Sequence, residues 1–320
     1  MNNNNSFESS QGSASDALAE RLAQIESGLV DPYTFTSRTL LQATFPHSAR
    51  AGKEIVLKNG NVQVTMYSSK GLPYGVYPRL IMCWLTREAV RRKSLDIDEA
   101  RIIPLGASLA EFMREIGVDG RSGGKTGNIA NLRKQLTALF STFISVETIG
   151  SSDMEDMPRS FQKIDNSLIA DSSTLWWDPK NEDQLSLMNS SVTLSKVFYQ
   201  DLIGSAVPLD IAILRAIKRS PMAIDLYCWL TYRLSYHQGF TVVTWNQLQA
   251  QFGAGYPNTA RGRVDFKRKL KGSLERVVDA WPEAAAVPTD HGIMLKPGNP
   301  SVPKEIQQQL RREENNDNPF

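Results

Sequence analysis

The chain has 320 residues, 41% hydrophobic and 22% charged, which suits about two globular units with real cores and excludes disordered, collagen-like and disulfide-stapled chains. Its 36 Lys and Arg against 34 Asp and Glu leave a net charge of +2, so a polyanion would have to be met by local clusters rather than by bulk basicity. The longest apolar run, Leu80–Leu85, spans six residues where a bilayer needs about 20. Met1–Asn5 also lacks the basic and apolar start of a signal peptide, so a cytoplasmic protein is expected.

In chain order, residues 1–14 are rich in Asn, Ser and Gly and are expected to be disordered. Ser15 then caps a helix to about Ser27, with Leu18, Leu22, Ile25 and Leu29 on one stripe. Asn59-Gly60 between two β-rich runs predicts a tight hairpin. Its alternating Val62, Val64 and Met66 give one apolar face, which either packs on its own domain or pairs two copies. A buried helix from Pro78 to Arg92 carries Cys83-Trp84-Leu85-Thr86, and the same four letters return at Cys228-Trp229-Leu230-Thr231 in a second helix from Pro221 to Tyr236. After each copy come a short strand, a short helix, a glycine-bearing turn, a longer basic helix and material for a two-stranded wing. The first wing would pair Thr142–Ile149 with Ser160–Ile164 and on to Leu175-Trp176-Trp177, and the second Ala284–Val287 with Gly292–Leu295. The expected fold is therefore α+β and helix-rich, with two tandem winged-helix domains. The first covers residues 36–177 and the second 191–300, with a linker at 178–190, the appended helix within 1–35 and a polar tail at 301–320.

The second basic helix is the main candidate site. Thr259–Arg276 holds Arg261, Arg263, Lys267, Arg268, Lys269, Lys271 and Arg276 against Asp265 and Glu275, a local excess of five positive charges where the whole chain has two. Helical spacing puts Phe266, Leu270, Leu274 and Val277 on a core face and Arg261, Asp265, Arg268, Lys269 and Arg276 opposite. Such a helix fits the major groove, where arginine pairs with guanine and lysine meets phosphate. In the first unit Arg121, Lys125, Asn128, Asn131, Arg133 and Lys134 form a second candidate DNA-contact set, with Gly123, Gly124 and Gly127 exposing backbone N–H groups near the helix start.

Other motifs fail on spacing. Gly120–Thr126 imitates a phosphate-binding loop but has three residues, not four, before its Gly-Lys pair and follows a helix rather than a strand. The histidines His47, His237 and His291 are dispersed, and Asp96, Asp98 and Glu99 lack a second acidic cluster, so no metal, cofactor or covalent chemistry is expected. Cys83 and Cys228, 145 positions apart, predict neither a disulfide framework nor a thiolate metal site. Trp84 and Trp229 are expected to be core anchors rather than platforms for bases.

Three blocks carry a family resemblance: Gly71–Thr86, Leu109–Gly117 and Ser220–Arg233 resemble the plasmid-encoded RepA replication initiators of bacteria, and Asp265–Arg268 is similar to the start of that family's second recognition helix. The resemblance runs from about Thr36 to Val302. It implies a non-enzymatic protein that binds repeated origin sites (iterons) in double-stranded DNA, helps open the duplex and brings in the host initiator and replicative helicase. It also implies a monomer–dimer equilibrium. The alternative is a winged-helix transcriptional repressor that uses the same DNA surface without a role in replication.

Overall fold

The computed structural model describes residues 32–42, 44–118, 128–154, 157–176, 189–304 and 306–307. The amino-terminal stretch with its predicted helix, the glycine-bearing turn before the first basic helix, most of the acidic connection and most of the tail lie outside these residues. The first half of the chain forms β1 (Tyr33–Ser37), α1 (Arg38–Gln42), β2 (Glu54–Asn59), β3 (Val62–Ser68), α2 (Val76–Arg91), α3 (Ile97–Ala100), β4 (Ile102–Pro104), α4 (Gly106–Glu115), α5 (Asn128–Phe140), β5 (Thr142–Met154), β6 (Met157–Leu168), β7 (Ala170–Thr174) and β8 (Ser191–Leu194). The second forms α6 (Lys196–Gly204), β9 (Ala206–Asp210), α7 (Ile211–Ile217), α8 (Pro221–Tyr236), β10 (Thr241–Thr244), α9 (Trp245–Phe252), α10 (Ala260–Ala280), β11 (Ala286–Pro288) and β12 (Gly292–Leu295). The architecture is mixed α and β with several small antiparallel sheets.

In the second half, the sheet order is β10-β12-β11. The hairpin after α10 thus returns to pair with the strand before α9, Val243 opposite Ile293 and Thr244 opposite Gly292. Local chemistry explains each step. Ser220 caps α8 ahead of Pro221, and Thr244 with Gln247 closes a capping box on α9. Thr259 accepts from the Gly262 amide at the start of α10.

The first half differs from expectation in its strand pairing, and Leu175-Trp176 follow β7, which pairs with β8 and does not extend the β5–β6 wing. β5 and β6 do pair, but they extend the Asn59-Gly60 hairpin into a four-stranded sheet of order β2-β3-β5-β6, while β4 pairs with β8 and not with that hairpin. Side-chain matching accounts for this: Val64 faces Val146 and Met66 faces Ile144 across β3 and β5, continuing one apolar layer. Val64 is 2% and Met66 0% exposed, so that layer packs on its own domain and is not the surface that would pair two copies. β8 lies beyond the 178–190 segment, yet it belongs to the sheet of β4 and β7.

The two halves share one continuous core in which α2 packs against α8. The two Cys-Trp-Leu-Thr copies meet there. Cys83 and Cys228 are both buried and unbridged, and the neighbouring Cys83 thiol together with burial pushes the Cys228 thiol well above its usual range. Each tryptophan turns into its own half. Trp84 donates to the Ser108 hydroxyl at 3.1 Å, and Trp229 packs edge-on against Phe252 at 5.8 Å. Both are buried core anchors, as expected.

Beside the cysteines, Arg79 of α2 clamps Asp225 of α8 through Nε–Oδ1 and Nη2–Oδ2 contacts of 2.7 Å each. His47 adds a 2.8 Å contact to the same carboxylate. The remaining guanidinium N–H groups donate to the carbonyls of Phe45, Pro46 and Gly75. Burial alone raises the Asp225 carboxyl, but Arg79 and the hydrogen bonds from His47 and Arg79 outweigh it and hold the group below its ordinary value of 3.8. A depressed folded-state value means the carboxylate contributes stability above the unfolded value, and that contribution is lost as pH falls through the folded one. Thermal melts should therefore show a loss of stability setting in below about pH 4 that is smaller in Asp225→Ala, which lacks this group's contribution. At pH 7, denaturant titration should show Asp225→Ala to be less stable by about 3–5 kcal/mol, because Arg79 is left buried and uncompensated.

Candidate nucleic-acid interface

The core face of α10 is as expected, with Phe266, Leu270, Leu274 and Val277 all buried. Opposite them the side chains of Arg261 and Arg268 are 94% and 80% exposed, with Arg263, Lys269 and Arg276 also exposed. Asp265 lies between the two arginines, 2.9 Å from Arg268 and 4.0 Å from Arg261. At this exposure the pairs contribute little stability; their effect is to bias two guanidinium forks toward one stretch of helix surface. Val264, which the charge pattern did not single out, is 64% exposed on this half of the helix. An exposed valine among arginines can meet a thymine methyl.

Lys267 and Lys271 are placed differently from their neighbours. Both are half-buried and lie over the ring of Trp245, at 4.9 and 5.6 Å from its centroid. The indole N–H of Trp245 donates to the Asp290 carbonyl at 2.9 Å. One aromatic side chain thus ties α10, the start of α9 and the β11–β12 turn together. Sequence reasoning missed Trp245, whose position one residue after the capping Thr244 was the available signal.

The turn into α10 is tight. A Cβ on Gly262 would stand 2.0 Å from the Pro257 carbonyl oxygen, so only glycine lets the first turn of the helix lie against the incoming chain. Tyr256 packs edge-on against Phe266 at 5.4 Å and fastens that turn to the helix core.

The first-unit set is less fully placed. Arg121 and Lys125 lie outside the described residues, as does the side chain of Asn128. On α5, Asn131 and Lys134 are exposed and Arg133 is half-buried. Lys134 lies 5.6 Å from the Tyr74 ring centroid, and the buried Gln135 accepts from the Tyr74 amide at 2.7 Å. The described residues hold no group of three His, Cys, Asp or Glu that could take a metal ion, and none of their helices is long and apolar enough to cross a membrane.

α10 thus gathers exposed cations on one face and is held by a strand, a tight turn and a returning hairpin. The family defined as plasmid-encoded RepA protein matches residues 72–247, more than half of the chain. The chain belongs to that family. This family supports a part in the initiation of plasmid replication, and the match ends within α9, so α10 lies beyond it. No curated protein matches the chain in sequence. Among solved structures, a selenomethionine derivative of domains 2 and 3 of RctB is similar, with a TM-score of 0.51 and 12% identity over 81% of this chain and 96% of that one. A second structure of RctB domains 2–3 gives a TM-score of 0.47 and 11% identity over 80% and 96%. At 12% identity the first likeness is one of fold.

Gly262→Ala should cost about 1–3 kcal/mol of stability by forcing the Pro257 turn away from α10. Denaturant titration would measure this, and a variant as stable as the parent would show that the turn can yield.

Proposed function

We propose that this RepA-family protein initiates plasmid replication by binding origin repeats through α10, helps open the duplex, and hands it to the host initiator and replicative helicase. It does so in the cytoplasm and without covalent chemistry of its own. The second half is read as a winged helix, with α10 in the major groove and the β11–β12 hairpin as its wing. The single observation that carries this reading is the outward face of α10, where Arg261 and Arg268 are almost fully exposed on either side of Asp265. Arginine forks suit guanine O6 and N7, and the neighbouring Lys269 suits phosphate. The exposed residues of α5 serve as a weaker second contact.

The test is equilibrium binding of the full chain to an origin-repeat duplex and to an unrelated duplex over a salt series. Arg261→Ala and Arg268→Ala should each lose about 1–3 kcal/mol on the repeat and much less on unrelated DNA, whereas Lys269→Ala should weaken both alike and lower the salt slope by about one. Equal small losses on both duplexes for all three variants would overturn base reading by α10. Origin melting by the parent chain separates an initiator from a repressor that binds the same site and leaves the duplex closed.

A further inference from the structure

At the turn leading into α10, the second half meets the first along an open cleft of about 610 Å³. One wall is the end of β2, beside the Gly60-Asn61 turn, and it supplies Lys58. The other is α9 with the turn after it and the first turns of α10, and it supplies Asn246, Gln249, Asn258 and Arg263. No Asp or Glu is among the lining residues. The Lys58 side chain is exposed and makes no hydrogen bond or ion pair among the described residues. Arg263 is positioned by a 3.0 Å bond from Nη1 to the Asn258 side-chain oxygen. The walls are held at a fixed separation. Arg50 donates to the Ala254 carbonyl at 3.2 Å, Thr44 donates to the Gln251 carbonyl at 3.1 Å, and Gln251 donates back to the Leu41 carbonyl at 3.0 Å.

Two cations from different halves, three neutral amides and no lining carboxylate make a surface for a polyanion. The cleft also adjoins the end of α10 that carries Arg261 and Arg263. We propose that it takes the sugar–phosphate backbone of the same duplex, with Lys58 and Arg263 each meeting a phosphate and the amides donating to phosphate oxygens. Lys58, in the first half, is thereby a phosphate contact of the reading site in the second. The inference rests on DNA reading by α10 and extends it, because phosphate contacts fix the register in which base-reading side chains meet their partners.

The experiment uses the full chain with a labelled origin-repeat duplex and an unrelated duplex over a salt series, comparing the parent with Lys58→Ala, Lys58→Arg and Arg268→Ala. Lys58 is an exposed strand residue, so its removal leaves the core intact. Lys58→Ala is expected to weaken both duplexes by a similar factor and to lower the salt slope by about one, and Lys58→Arg to restore both. In ethylation interference, the Lys58→Ala complex should lose sensitivity at a phosphate flanking the α10 contacts. The cleft proposal is overturned if Lys58→Ala matches the parent in affinity and slope while Arg268→Ala still loses origin preference. If Arg268→Ala also keeps that preference, reading by α10 fails and the cleft proposal falls with it.

Discussion

The buried clamp between Arg79 and Asp225 is the contact on which the arrangement of the two halves depends. A guanidinium and a carboxylate taken out of water are costly, and the cost is offset only when geometry is bidentate and the remaining N–H groups find acceptors. Both conditions hold: Arg79 engages both carboxylate oxygens and three backbone carbonyls. A small rotation of α8 against α2 would strand a buried charge. The pair therefore adds a directional contact to the continuous apolar packing between the halves.

That position has consequences at the far end of the second half. The segment after α1 follows the clamp residue His47 with Arg50, which bonds to the Ala254 carbonyl just beyond α9. Carbonyls at a helix carboxyl end lack intrahelical partners, and here Thr44 and Arg50 from the first half supply donors at Gln251 and Ala254. β1 and β9 add a strand pairing between the halves, with Tyr33 opposite Asp210. The turn that aims α10 is thus held by residues roughly 200 positions earlier in the chain.

The repeated Cys-Trp-Leu-Thr motif is understood through the same packing. Two small, weakly polar side chains at matching helix positions let α2 and α8 approach closely, while each tryptophan organises its own half. Larger side chains at the cysteine positions would push the helices apart and stretch the clamp beside them. The motif is scaffold, and the surface chemistry lies elsewhere: on α10, where Asp265 orients arginines, and around Trp245, which joins helix and hairpin.

Local signals were legible without coordinates. The Asn59-Gly60 pair announced the hairpin one residue early: Asn59 closes β2 opposite Val62, the turn residues are Gly60 and Asn61, and the positive φ of 62° falls on Gly60. The period of Phe266, Leu270, Leu274 and Val277 gave the core face of α10, because a helix returns to one side every three to four residues. Pro221 marked the start of α8, where it directly follows the capping Ser220. What depended on distant pairing was not legible. The joining of β5 to β3, the pairing of β8 with β4 and the strand pair β1–β9 are chosen by apolar complementarity and backbone hydrogen bonding between segments far apart in the chain, which leave no periodic trace in either segment. The same holds at the site: composition showed that the helix is basic, but only packing decided that Lys267 and Lys271 lie on Trp245, that Val264 is exposed, and that Lys58 stands across a cleft from Arg263, because each depends on which surfaces the tertiary fold brings together.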